Sequence, residues 1–402
     1  MIFKYLFSFF VLTLLPLVYV VRILKLLFFK SQNILLGIQP LISNKYWSKT
    51  LNEIGFNSTS VVIGTFTINN ENDFDHIINS RFKFIVWTLR YLIFYDVHIL
   101  SFRGGFIGKL PIRRMEPLIL KMFRIKSIIL GYGSDIHVYD RINHHSYIHT
   151  LSSFYPQSFL SRKLIVEALE SWQKHANFVC FAMFFGNGFY RNDLLSPNIL
   201  TFPVEKIVPK YHFKKNSKFC IVHSPNHRII KGTEYISNTI NKLKNDFDIE
   251  YILLEKRPNI EVLDILQNKA DIFIEKLVGP SYALSAIEAM SFGVPVVGSV
   301  NNGDWNDLYK CLSRYSFVAD CPIISANVES LEVILRDLLS FPEKLNSISA
   351  ESRKYVERYH SFKAGGILFK EIIDCVYNDN KDLKNMYHPI SGYYNDLFDE
   401  IE

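Results

Sequence analysis

Apolar positions along this chain fall into three patterns, and each predicts a different kind of element. The first is continuous. From Tyr5 to Val21 no charged residue occurs, and Leu, Phe and Val dominate. Such a run sits at the lower limit for crossing a bilayer's hydrocarbon core.

The second pattern alternates short apolar or β-branched runs with segments of helical period. It begins with a strand at Asn33–Gly37, a helix over Lys45–Ile54 closed by Gly55, and a strand at Thr59–Gly64. The Arg81–Tyr95 stretch then leads to a strand at Val97–Leu100, and Glu116–Phe123 leads to one at Ser127–Leu130. A second series follows, with strands at Phe219–Val222, Ile249–Leu254, Asp271–Ile274 and Pro295–Gly298. Helical segments at Gly232–Leu243, Asn259–Asn268 and Tyr282–Phe292 separate them. Strands that alternate with helices predict parallel, doubly wound sheets.

The third pattern has no apolar period. Residues 203–217 are basic and proline-bearing and predict a linker; residues 378–402 are polar, acidic and aromatic and predict a mobile tail. The expected organisation is an anchor over 1–30, a Rossmann-like domain over 31–202 and the linker over 203–217. A second Rossmann-like domain over 218–350, a helix over 351–377 that crosses back to the first domain, and the tail complete it. Two such domains predict a cleft between the C-terminal ends of their sheets, where ligands of these sheets bind.

Composition narrows the picture. A length of 402 residues fits two domains, and 49% hydrophobic with 21% charged residues excludes general disorder. A net charge of +6 suits an anionic membrane or a phosphate-bearing ligand, but it is too weak and dispersed for nucleic acid. The 5 cysteines form no Cys-x-x-Cys pair, which argues against a disulfide framework or a zinc site and for reduced thiols in the cytosol.

Charge also orients the N-terminal run. Lys4 precedes it, whereas Arg22, Lys25 and Lys30 follow, so the positive-inside rule places the remaining chain in the cytoplasm, at the bacterial inner membrane. No small-residue cleavage site follows, which counts against a signal peptide. A spanning helix stays open. So does a monotopic or re-entrant anchor kinked at Pro16 and continued by an interfacial segment over 22–29, and so does a buried helix of a soluble protein.

The chemistry concentrates in residues 270–300. A strand ending near Ile274 is followed by Gly279-Pro280-Ser281, and a helix opens at Tyr282. Free amides at a helix start favour an anion such as a diphosphate. Two turns further in, Glu288 offers a carboxylate that can accept hydrogen bonds from ribose hydroxyls. Upstream, His223-Ser224-Pro225-Asn226-His227-Arg228-Ile229-Ile230-Lys231-Gly232 follows the first strand of the second series. Arg228 supplies a forked donor and Lys231 a point charge.

Together these segments resemble the donor-binding signature of glycosyltransferase family 4, in which Glu-Ala-Met-x-x-Gly-x-Pro-Val follows a Gly-containing loop. Glu288-Ala289-Met290-Ser291-Phe292-Gly293-Val294-Pro295-Val296 carries the match. The resemblance implies a GT-B fold, a nucleotide-sugar donor carrying UDP or GDP, no cofactor and transfer with retention. It makes Glu288 the ribose contact and Arg228 and Lys231 the phosphate contacts, with His223, Gly279, Ser281 and Tyr282 lining the donor. The family's second Glu, eight residues before Glu288, is replaced here by Pro280; Glu275 is nearby, but at the wrong spacing. In the first domain Gly131-Tyr132-Gly133-Ser134-Asp135 resembles a Gly-Ser-Asp that faces the cleft in relatives. It makes Asp135 a catalytic candidate beside Glu288, and a helix-capping Asp is the alternative.

Between Arg103 and Lys126 seven basic residues face one acid, Glu116. They predict contact with anionic head groups or a lipid-pyrophosphate acceptor, against the alternative of an ordinary solvated face. His137, His144, His145 and His149 near Asp135 and Asp140 fit no tight ligand spacing, so no metal is expected. No P-loop, Gly-x-Ser-x-Gly or dinucleotide fingerprint occurs. The expected activity is therefore glycosyl transfer to a lipid-linked or glycan acceptor in capsule, exopolysaccharide or O-antigen synthesis. A non-catalytic scaffold of the same fold and a nucleotide-sugar epimerase are the alternatives.

Overall fold

The computed structural model describes residues 2–29, 32–66, 69–142, 145–181, 191–211, 218–279, 281–300, 315–378 and 381–400. The chain divides into two units. Unit 1 comprises Met1–Asp140, Leu160–Leu195 and Leu368–Lys384; unit 2 comprises Arg141–Phe159, Ser196–Ile367 and Asn385–Glu402.

Unit 1 is a parallel sheet of β1 (Asn33–Ile38), β2 (Asn57–Ile63), β3 (His76–Ile78), β4 (Val97–Leu100), β5 (Lys126–Gly131) and β6 (Phe178–Phe181). Their order is β3-β2-β1-β4-β5-β6. Strand order therefore reverses between β1 and β4. Around the sheet lie α1 (Ile2–Phe28), α2 (Ile42–Glu53), α3 (Arg81–Ile93) and α4 (Glu116–Met122). After α5 (His145–Phe154) and α6 (Pro156–Leu160), which fall almost wholly in unit 2, α7 (Arg162–His175) returns to unit 1. The strands read as near-continuous apolar runs because helices cover both faces of a parallel sheet. Leu35, Val61, Ile129 and Val179 are fully buried, packed with Tyr91, Phe106 and Phe123 from the helical layer and its loops.

The N-terminal run becomes one helix that passes through Pro16. Its packed positions, Phe7, Val11, Val18, Arg22 and Lys25, recur at helical spacing. Phe7 meets Phe84 of α3, with ring centroids 5.8 Å apart, and Tyr19 meets Phe123 at 5.5 Å. Arg22 is wholly buried. It donates to the Phe123 carbonyl at 3.2 Å and the Ile93 carbonyl at 3.0 Å, the C-terminal ends of α4 and α3, and pairs with Asp96 at 2.9 Å. Lys25 also holds Asp96, at 2.7 and 2.8 Å. A cation at two helix C-termini meets their orphan carbonyls and their dipoles together.

Unit 2 is a parallel sheet of β7 (Phe219–His223), β8 (Ile249–Leu253), β9 (Ile272–Ile274), β10 (Val296–Gly298) and β11 (Ile324–Ser325), in the order β11-β10-β9-β7-β8. Its helices include α8 (Arg228–Lys231), α9 (Thr233–Leu243), α10 (Asn259–Asn268) and α11 (Leu284–Ser291). Strand order reverses between β7 and β9. The helix expected over Tyr282–Phe292 is shorter at both ends. The glycine after it is required: Gly293 has φ +73°, and a side chain there would lie 2.7 Å from the Lys210 carbonyl oxygen.

Two expectations about the C-terminal part change. The single helical segment is two helices, Glu343–Tyr359 and Phe362–Tyr377, and the second begins in unit 2 and ends in unit 1. The segment expected to be a mobile tail is folded, and from Asn385 onward it belongs to unit 2. Met386, Tyr387 and Tyr394 are buried, and Tyr394 stacks on Tyr359 with centroids 6.1 Å apart. Its aromatic residues supply apolar area that a polar, acidic average conceals.

Candidate functional site

In open α/β sheets the loops at the strand-order reversal leave a crevice at the C-terminal ends of the strands. In unit 2 those loops follow β7 and β9, and they carry the two segments singled out in the sequence.

The loop after β7 enters the single turn α8, which ends at Gly232 with φ +75°. This left-handed stop places Lys231 over β9. Its ammonium pairs with Glu275, the residue after β9, and Glu275 also accepts from the Ser285 hydroxyl at 3.3 Å. Glu275 is 1% exposed, and its Oε2 has no hydrogen-bond partner among the described residues. Burial pushes this carboxyl up, but Lys231 and Lys276 outweigh burial and hold it below its usual value. Lys276 is itself lowered to about 8, chiefly by burial. Arg228 reaches the other way, to Glu234 at 2.6 Å and to Glu255.

Glu288 lies in the second turn of α11, 3% exposed. Asn259, at the start of α10, donates to its Oε1 at 2.9 Å. Burial raises the carboxyl to about 7, with Asn259 opposing. The first amides of α11 have no side-chain cap. Glu275, Ser285, Glu288 and these amides thus share one strand–loop–helix unit, faced by Lys231 from the neighbouring loop.

The other expected site residues have internal partners. His223 is fully buried. Its Nδ1 lies 2.7 Å from the Ile274 carbonyl and its Nε2 2.9 Å from Thr233 Oγ1. A carbonyl only accepts, so Nδ1 donates and Nε2 accepts from the hydroxyl. Burial lowers this imidazole to about 4 and keeps it neutral. His223 therefore ties β7 to β9 and α9. The Tyr282 ring is buried, its hydroxyl 2.8 Å from Tyr355 Oη and 2.9 Å from His360 Nε2. Ser281 adopts φ +74°, and its hydroxyl donates to the Tyr282 carbonyl at 3.3 Å. Gly279 packs under Tyr147, where an added Cβ would come within 3.2 Å of the ring. Pro280, on which the family's second Glu would fall, lies outside the described residues.

In unit 1, Asp135 is 2% exposed, and both its oxygens are occupied. Oδ1 accepts from the Tyr132 and Gly133 amides at 3.0 Å each, and Oδ2 accepts from the Phe102 amide at 3.1 Å. Burial raises it to about 6 against these bonds. It clamps the loop after β5 to the loop after β4. Glu116 is a second clamp of this kind. It accepts from Tyr91 Oη at 2.9 Å, the Gly105 amide at 2.9 Å and the Ile107 amide at 3.1 Å. Burial raises it to about 7. At unit 1's own reversal point lies a small crevice, lined by Gln39, Asn44, Trp47, Ser101 and Tyr132 among others.

Within the basic segment, Arg113 and Arg114 both lie against Glu167 of α7, so their charge is partly matched inside the protein. No group of three metal-ligating side chains occurs among the described residues.

Asn259, Glu255 and Lys276 join the site without being expected there. Asn259 has a faint signal as the first residue of an expected helix. The other two carry none in the sequence, because what matters about them is which neighbours they meet.

Comparison with known proteins places the fold. No family model and no curated protein matches the chain. Among solved structures, Alr3699/HepE of Anabaena in complex with UDP-glucose is similar at a TM-score of 0.53 and 9% identity. The match covers 85% of this chain and 99% of that one. MurG of Acinetobacter baumannii matches at a TM-score of 0.42 and 12% identity, over 86% of this chain and 99% of that one. The chain has the GT-B fold: two parallel α/β units, here with an apolar N-terminal helix.

Proposed function

We propose that this chain is a glycosyltransferase that binds a nucleotide sugar in unit 2 and passes the sugar to a lipid-linked or glycan acceptor held by unit 1. One observation carries the reading. At the β7–β9 reversal point, a buried carboxylate with an oxygen unpartnered among the described residues, a lysine, a helix start and Glu288 converge. In this reading Glu288 and Asn259 hold the ribose, while Lys231 and the α11 amides hold the diphosphate, whose charge grows as the glycosidic bond breaks; Arg228 joins them only by releasing Glu234 and Glu255. His223 and Asp135 act as positioning residues. The UDP-glucose bound by HepE supports a UDP-sugar as the first donor to test. The resemblance to glycosyltransferase family 4 implies transfer with retention, which the reading sets at the cytoplasmic face of the inner membrane, with α1 as the attachment.

The test is thermal stabilisation of the purified protein by UDP, GDP, ADP and CMP. A nucleotide at 100 times its dissociation constant adds about 2.7 kcal/mol. One nucleotide is expected to stabilise the wild type and to fail with Glu288→Ala. Stabilisation by none would defeat the reading, and binding without turnover would favour a non-catalytic scaffold.

Affinity should also depend on pH. Ribose hydroxyls donate to an ionised Glu288, so binding selects the carboxylate and releases a proton. With the free group near 7, affinity should rise from about pH 6 to about pH 8 and level off above. Glu288→Gln, titrated with the same nucleotide, should remove that part of the slope that the phosphate itself does not supply. Equal slopes in both proteins would assign the pH dependence elsewhere.

A further inference from the structure

Packing accounts for one face of α1 and leaves the other unexplained. Leu6, Phe9, Leu17, Val20, Leu27 and Phe28 are each more than half exposed. Exposed apolar residues continue on both flanks, with Phe82 and Val86 on α3, and Leu118 and Met122 on α4. Monomeric soluble proteins rarely leave so long an apolar strip in water.

The exposed charges on the three helices have one sign. Lys4, Arg81, Lys83, Arg90, Lys121 and Arg124 are exposed on or beside α1, α3 and α4. The three helices contain a single acid, Glu116, and it is fully buried. An apolar strip on helices whose own exposed charges are all cationic matches the boundary between acyl chains and anionic head groups.

We infer that α1 lies flat in one leaflet of an anionic bilayer, and that its outer face, with the flanks of α3 and α4, is the membrane-docking surface. The inference rests on the membrane-attachment reading above and goes beyond it by excluding a spanning helix. At 1.5 Å per residue α1 is about 40 Å long, and its packed positions run from Phe7 to Lys25. To span, it would have to leave unit 1, expose Phe7, Val11 and Val18, and strip Asp96 of both its cations. The Arg22–Asp96–Lys25 cluster is therefore what holds the helix in the plane, and the two charges near its C-terminal end face protein instead of lipid.

The test uses the full chain with phosphatidylcholine vesicles, with and without phosphatidylglycerol. A fluorescent amino acid is placed at position 6, 17 or 27, and its depth is read with brominated lipids. The protein is expected to float with anionic vesicles at least about tenfold better than with neutral ones, and all three positions should report the same shallow depth. The triple variant Leu6→Asp/Leu17→Asp/Leu27→Asp should lose flotation while keeping its circular dichroism and its stabilisation by nucleotide. A depth profile deepest at position 17 would make α1 a spanning helix, overturning the inference and leaving membrane attachment intact. Absence of flotation with either vesicle would defeat attachment itself. A stable dimer in lipid-free buffer that stays off vesicles would assign the face to a second copy of the chain.

Discussion

Lys231→Met is expected to cost about 3–5 kcal/mol of stability and to abolish nucleotide binding. The lysine pairs with Glu275, which is 1% exposed; among the described residues the buried Lys276 is the other lysine acting on it. Removing one partner of a buried pair leaves an uncompensated charge, and losses of that size follow. Chemical denaturation of the single variant reads the first effect. The double variant Lys231→Met/Glu275→Leu separates it from the second, because replacing both partners by apolar groups of similar volume is often nearly neutral. Stability should return to within about 1–2 kcal/mol of wild type, while stabilisation by nucleotide stays absent. A double variant that recovers both would make the pair purely structural. A single variant as stable as wild type would show that Glu275 finds another partner.

Glu116→Ala should be nearly as damaging. It orphans the Tyr91 hydroxyl and the Gly105 and Ile107 amides, all buried, at about 1–3 kcal/mol for each unsatisfied donor. The expected total is about 4 kcal/mol after partial relaxation. The loss should depend on pH. Glu116 stands near 7 in the folded chain against 4.5 ordinarily. A carboxyl raised on folding contributes stability that is fully present below about 4.5 and is lost as pH rises through about 7. The gap between wild type and Glu116→Ala should therefore be wider at about pH 5 than at about pH 8. A constant gap would mean that the carboxyl titrates alike in both states.

Much of the fold is legible in the sequence because parallel sheets covered on both faces write their strands as apolar runs. The strands β7, β8, β9 and β10 lie within a residue or two of where those runs stand. β3 leaves no such trace: at three residues, His76–Ile78, it is too short for any period to show. The folded closing segment escapes the same reading because a few well-placed aromatics outweigh a polar average.

The candidate site is legible in part, and the boundary has a physical meaning. The spacing of Arg228, Lys231 and Glu288 against turn and helix signals puts them at one end of one sheet. Spacing does not show that Arg228 is engaged by Glu234 and Glu255, or Lys231 by Glu275. Glu275 stands at the wrong distance along the chain from Glu288 to match the family pattern, yet the fold brings it to Ser285 and Lys231. Likewise Asp135 and His223 stand where chemistry is expected, but neighbouring amides, a carbonyl and a hydroxyl, which carry no sequence signature, have already claimed their polar atoms.

The division of the chain into units has a consequence for anyone who would take the protein apart. The backbone passes between the units five times, at residues 140–141, 159–160, 195–196, 367–368 and 384–385. One of these passages falls inside the helix Phe362–Tyr377. No single cut therefore yields two complete halves. A fragment ending before residue 368 lacks Phe369, fully buried against Trp47 of another unit-1 stretch, and a fragment starting at 196 carries a piece of unit 1 with no sheet to cover. Recombinant dissection of this fold at its apparent linker would give two insoluble products, whereas co-expression of the two fragments offers them the chance to reassemble.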